Sequence, residues 1–175
     1  MENIIIVNPK AGNGRTKRIW PQIEAFLKKN IGSFQVKFTS SQGDATNLTR
    51  QALDSKPSKI IAIGGDGLLN EVLNGFILND VLICSESCLS FIMTGTGCDF
   101  QRSFGVSKDW RIAIENLKIA KLRKIDVGKV TYTDFHKKKK IRYFINIASF
   151  GLSGAVDSYV KNSSFIKYLG GTILF

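Results

Sequence analysis

Asp66 stands in the middle of a Gly-Gly-Asp-Gly turn, Gly64 to Gly67, with the apolar run "KIIAI" before it and an amphipathic run after it. A bare carboxylate at a helix start would repel the phosphate that the helix dipole otherwise attracts. A magnesium ion between carboxylate and phosphate oxygens turns that repulsion into attraction. The plainer role is a cap on the following helix, which aspartate performs well, and spacing alone leaves the two level. Two more segments share the glycine-rich character: "NPKAGNG" from Asn8 to Gly14 and "TGTGCDF" from Thr94 to Phe100. Each follows a strand-like run, so in a parallel sheet all three meet in the crevice beyond the carboxyl ends of the strands. Together they point to a phosphate-bearing ligand encircled by backbone N–H groups. Neither a Walker A loop nor the G-x-G-x-x-G fingerprint is matched.

The elements that must position these loops alternate. Strand-like runs are read at Ile4–Val7, Phe34–Thr39, Lys59–Gly64 and Leu89–Met93. Helices are read at about Thr16–Asn30, Gly43–Ser55, in "LLNEVLNGFIL" and over Asp109–Leu117, with "TGTGCDFQRSFG" left as a loop. Repeated strand-helix-strand units mean a parallel sheet covered by helices on both faces. In the third helix Leu69, Val72, Leu73 and Phe76 share the face that docks on the sheet, while Asn70, Glu71 and Asn74 lie opposite. Asn70 and Glu71 fall in the first turn, within reach of a ligand at the glycine loop, and Glu71 reads first as a favourable charge at a helix start.

From about Lys124 the rhythm changes. "KIDVGKVTY" and "IRYFINIASF" read as an antiparallel hairpin joined by "TDFHKKKK", followed by a short helix in "GLSGAVDSYVKN" and the opening of another element in "GGTILF". The expected architecture is therefore α/β: a Rossmann-like parallel-sheet nucleotide-binding domain over residues 1–122, then the start of an incomplete β-rich domain over residues 123–175.

Composition narrows the class further. No run approaches the roughly 18 apolar residues of a membrane span, and the N-terminus lacks the pattern of a signal peptide, so the chain reads as cytoplasmic. Cys84, Cys88 and Cys98 read as free thiols rather than a disulfide framework or a zinc site. Residues 108–142 hold 12 Lys/Arg and 4 Asp/Glu, a net +8 of the chain's +11. Such a field favours an anionic partner. The run His136–Lys140 is a solvated turn on its bland reading, or a contact with an anionic membrane surface. Nucleic acid is not expected, because the run has no interleaved aromatics and lies in no nucleic-acid motif.

Taken in order, "NPKAGNG", "GDAT", "IGGDGLLNEVLNG", "GTGCDF" and "KIDVGKV" resemble the diacylglycerol kinase catalytic domain, which bacterial lipid kinases share with sphingosine and ceramide kinases. The GGDG element alone also occurs in NAD kinases and phosphofructokinases. The resemblance implies ATP- and magnesium-dependent phosphorylation of a lipid hydroxyl, with the nucleotide in a cleft between an α/β and a β-rich domain. It implies ATP contacts from Asn8, Gly12, Thr39, Gly64, Gly65, Asp66, Gly67, Leu68, Leu69, Asn70 and Thr96. Asp66 becomes the central acidic residue, and Asp66, Asp99 and Asp126 the magnesium network. The partners implied are ATP and a lipid at the inner face of the membrane, and a homodimer is compatible with them.

Three departures stand out: Leu68 where the family usually has threonine, Cys98 where it has asparagine, and no counterpart before Phe175 of its late Asp-Gly-Glu element. The competing readings are a non-catalytic nucleotide-binding or regulatory homologue and a soluble-substrate kinase of NAD kinase type.

Overall fold

The computed structural model describes residues 2–148. The expected elements at "GLSGAVDSYVKN" and "GGTILF" lie outside them. The chain divides into two compact units, 1–145 and 146–175.

The first unit is built on a parallel sheet of β1 (Asn3–Val7), β2 (Phe34–Phe38), β3 (Lys59–Gly64) and β6 (Cys88–Met93), in the order β2-β1-β3-β6. β1 and β3 lie in the middle, and their uninterrupted apolar runs are buried from Ile4 to Val7 and Ile60 to Gly64. A strand covered on both faces has no position that prefers water, which is why these runs do not alternate. β2 occupies an edge and does alternate, with Gln35 exposed.

Successive side chains go to opposite faces and build two cores. Ile4, Ile6, Ile60 and Ala62 pack with α2 (Asp44–Leu53) and α3 (Asp66–Phe76). Ile5, Val7, Ile61, Ile63 and Ile92 pack with α1 (Arg15–Ile31) and α5 (Trp110–Ile119). Each fully buried isoleucine contributes about 1.5–3 kcal/mol, so the two central strands anchor the unit. The docking face expected for α3 is the observed one: Leu69, Val72, Leu73 and Phe76 are buried.

Several elements differ from expectation. The third helix stops at Phe76, and Ile77–Leu78 (β4) pairs with Val81–Leu82 (β5) around Asn79 and Asp80, both at positive φ. Two consecutive left-handed residues make the hairpin turn that matches strand twist. The segment read as a loop after β6 contains a short helix, α4 (Asp99–Ser103). The basic hairpin is present as β7 (Gly128–Thr133) and β8 (Lys139–Phe144). It falls within the first compact unit, where α3 contacts β8 directly.

That hold is made by Asn74. Its Nδ2 donates to the Tyr143 carbonyl at 2.8 Å, and its Oδ1 accepts from the Tyr143 N–H at 3.0 Å. A side-chain amide thus satisfies the free edge of β8 as a neighbouring strand would. The Tyr143 hydroxyl donates to Asp80 Oδ1 at 2.8 Å, and Lys129 Nζ donates to Asp80 Oδ2 at 2.7 Å. The Lys129 hydrogen bond comes first, and the Tyr143 hydroxyl second, in holding the Asp80 carboxyl below its usual range.

Candidate functional site

The strand order reverses between β1 and β3, and the loops that leave those strands flank that switch point, where open α/β sheets bind ligands. The loops interlock. Thr94 and Gly95 N–H groups both donate to the Gly64 carbonyl, at 2.7 and 3.1 Å. A methyl group added at Gly95 would lie 2.6 Å from Gly65 Cα, so two peptide backbones touch and no side chain fits between them. Gly12, at φ +59°, presses on the Thr94 carbonyl, which an added methyl would meet at 2.6 Å. Beneath it the buried hydroxyls of Thr16 and Thr94 lie 2.6 Å apart.

The loop after β2 joins the same edge. Lys10 Nζ donates to the Ser40 carbonyl at 3.1 Å. Asp44 accepts from the backbone and side chains of Ser40 and Ser41, and these bonds, the Ser40 hydroxyl's first, hold its carboxyl far below the ordinary range. Glu71 reaches back from α3 to accept from the Gly43 N–H at 2.9 Å and the Ala45 N–H at 3.2 Å. Its role differs from the one read for it, since it caps α2 rather than easing the start of its own helix.

Asp66 likewise caps another helix. Gly65 is the N-cap of α3 and makes no side-chain cap bond. The Asp66 carboxylate instead accepts from the Asp99 and Phe100 N–H groups at the start of α4, each at 3.2 Å. This explains why five residues amid glycines turn helical: orphan donors of a very short helix find a carboxylate across the crevice.

A methyl group placed on Gly97 would lie 3.5 Å from Asp66 Oδ2 and 3.8 Å from Asp99 Oδ2, so the two carboxylates flank that glycine. Asp99 also accepts from Arg102 at 2.7 Å. Two carboxylates so placed could hold a hard cation such as magnesium only with other oxygens, such as phosphate and water, completing its shell. Asp126 lies exposed between α5 and β7, and among the described residues no three His, Cys, Asp or Glu side chains converge as a metal group.

The other expected site residues fall as follows. Asn8 Oδ1 accepts from the Lys10 N–H at 2.9 Å, shaping the first loop. Thr39 is buried at the end of β2, its N–H on the Val7 carbonyl. Leu68 and Leu69 are buried at 5% and 2%, with Leu68 packed beneath Gly64. Neither leucine side chain faces the crevice, which leaves their backbone to meet a ligand. Gly67 and Thr96 are exposed, and Asn70 is half-buried.

Cys98 adopts φ +55°, a conformation asparagine takes far more readily, and its thiol contacts the Gly95 carbonyl. Burial first, then the nearby Asp66 charge, raises its pKa. The sequence reading did not find Thr16, Lys10 or Ser40–Ser41. Their only local signal is the recurrence of short hydroxyl and amide residues beside glycines.

Comparisons with known proteins show the family. The family model described as the diacylglycerol kinase catalytic domain matches residues 2–130. A diacylglycerol kinase of Staphylococcus carnosus is 31% identical over 95% of this chain and 50% of its own length. One from Staphylococcus epidermidis is 35% identical over 84% of this chain and 42% of its own. The crystal structure of a diacylglycerol kinase from Bacillus anthracis superposes with a TM-score of 0.57 at 30% identity, covering 74% of this chain and 44% of that one. The chain thus spans about half the length of the curated relatives it matches. With the family model matched across most of the sequence, the chain belongs to the diacylglycerol kinase catalytic domain family.

Proposed function

We propose that the chain is the nucleotide-binding part of an ATP-dependent kinase whose acceptor is a lipid hydroxyl, that of diacylglycerol or a related alcohol. The observation that carries this reading is the interlocked glycine edge with Asp66 at its centre: backbone donors and a carboxylate meet where a phosphate chain would lie. Phosphoryl transfer asks mainly for positioning and charge neutralisation, and such an edge supplies positioning without side-chain bulk.

In this proposal Asn8, Gly12, Thr39, Gly64, Gly65, Gly67, Asn70 and Thr96 contact ATP, with Leu68 and Leu69 contributing only backbone. Asp66 and Asp99 would hold magnesium, which when bound neutralises phosphate charge; Asp126 belongs to the same proposed network. Asp66 also keeps the α4 segment closed over the edge through its two backbone bonds. Residues 1–122 form the proposed nucleotide lobe, and the segment from 123 opens the lobe that meets the lipid. Among the described residues no helix is long and apolar enough to cross a membrane. The proposed location is cytoplasmic and peripheral, at the inner membrane face where a lipid acceptor would be met.

The test is transfer of labelled phosphate from ATP to diacylglycerol in mixed micelles. The proposal expects transfer that is lost in Asp66→Asn, and undiminished transfer in that variant would remove Asp66 from its role. ATP binding with no transfer to any lipid alcohol would favour the non-catalytic reading.

A further inference from the structure

The tip of the β7–β8 hairpin combines three features that the lysine run alone does not convey. Phe135 is fully exposed at its apex. His136 and the four lysines Lys137–Lys140 follow it directly, all exposed. Between Gly128 and Phe144 the one acidic residue is Asp134, and its charge is turned inward: Oδ1 accepts from the His136 and Lys138 N–H groups, each at 2.9 Å. Asp134 N–H on the Lys138 carbonyl and Lys137 N–H on the Asp134 carbonyl, both at 2.9 Å, close the turn.

Four backbone and side-chain bonds do not build a turn merely to leave an aromatic ring in water. The bonds fix the apex, so the ring is presented without the entropy cost of ordering a loose loop. Exposed Tyr132 and Ile141 extend the apolar character behind the apex. At the base, Asn74, Asp80 and Lys129 tie the hairpin to α3 and the β4–β5 turn.

We infer that this tip is an interfacial anchor for an anionic bilayer, in which Phe135 enters the headgroup region while Lys137–Lys140 hold the anionic surface. The choice of a bilayer over another polyanion rests on the lipid kinase reading; the exposed ring, the inward aspartate and the basic run do not. An apolar residue amid lysines is the pairing that interfacial binding uses, apolar burial and surface charge adding together.

The experiment is co-sedimentation of the 175-residue protein with phosphatidylserine/phosphatidylcholine vesicles and with pure phosphatidylcholine vesicles, over a range of salt. Binding to anionic vesicles is expected to fall about fivefold or more in Phe135→Ala. With Lys137–Lys140 all changed to glutamine it should fall at least about tenfold and lose most of its salt dependence. Circular dichroism and thermal unfolding should be the same for all three proteins, since neither change touches a core residue.

Equal binding by wild type and both variants overturns the anchor. So does a hairpin-dependent association with a single-stranded oligonucleotide in the absence of vesicle binding. ATP binding measured alongside separates the two proposals: vesicle binding without ATP binding defeats the nucleotide site and leaves the anchor, and the reverse defeats the anchor alone.

Discussion

The carboxyl edge of the parallel sheet and the β7–β8 hairpin are held by opposite means. At the edge, backbones touch directly, Gly65 on Gly95 and Gly12 on the Thr94 carbonyl, and loop after loop is locked to its neighbour. The hairpin and its flanks contribute only half-buried residues, Val127, Tyr143 and Ile145 among them, and rely on one asparagine and one aspartate for their polar attachment. On the proposed reading the edge encircles a phosphate, which needs fixed donors. A surface that meets a bulkier partner needs reach, and keeps its charge in water until then.

The comparison is broken most severely at the glycine contacts. Gly95→Ala should cost about 1–3 kcal/mol or more, because its methyl meets backbone that has no room to move. Gly75→Ala should do the same where α3 crosses α2, since its methyl would lie 2.4 Å from Thr49 Cβ. Gly67→Ala, with nothing within 4 Å, should leave thermal stability within about 1 kcal/mol of wild type. A Gly67→Ala protein that folds normally but loses ATP would separate the glycine that serves the ligand from those that serve the fold.

Next in size is Asn74→Ala. It leaves the Tyr143 N–H and carbonyl without their partner, at about 1–3 kcal/mol. Hydrogen exchange should accelerate in β8 and stay slow in β1 and β3. Uniform acceleration would show that hairpin and sheet edge are one cooperative unit, and the contrast between them would fail.

A pH experiment sharpens the description of the edge. The folded-state pKa of Asp44 is depressed, so its stabilising contribution is present above the unfolded carboxylate range near pH 4 and is lost as pH falls toward the folded value. Asp44→Asn should therefore lower stability at neutral pH and flatten the acid limb of the unfolding curve. Equal slopes in the two proteins would contradict the Ser40–Ser41–Asp44 knot. The smallest effect is expected of Cys98→Asn: a gain of some tenths to about 1 kcal/mol, from a residue better suited to φ +55° and to an N-cap.

The sheet was legible because its signals are local. Ile4–Val7 and Ile60–Ile63 are continuous apolar runs that only a doubly covered strand tolerates, and the glycine loops follow them at once. α4 was not legible, since what makes Asp99–Ser103 helical is a carboxylate 33 residues away in sequence. The β4–β5 pair escaped because two-residue strands carry almost no periodicity, although Asn79-Asp80 is a turn signal. The residues of the candidate site were legible as types, and their mutual arrangement was not. Asp66 opens α3 and Glu71 lies in its second turn, and both cap a helix other than their own.

The most direct measurement is a magnesium-ATP titration followed by backbone amide chemical shifts of the 19.4 kDa protein. The account predicts shifts at Gly12, Gly65, Gly67, Leu68, Asn70 and Thr96, with Lys137–Lys140 unmoved. Shifts confined to the basic hairpin, or none at the glycine loops at saturating nucleotide, would contradict it.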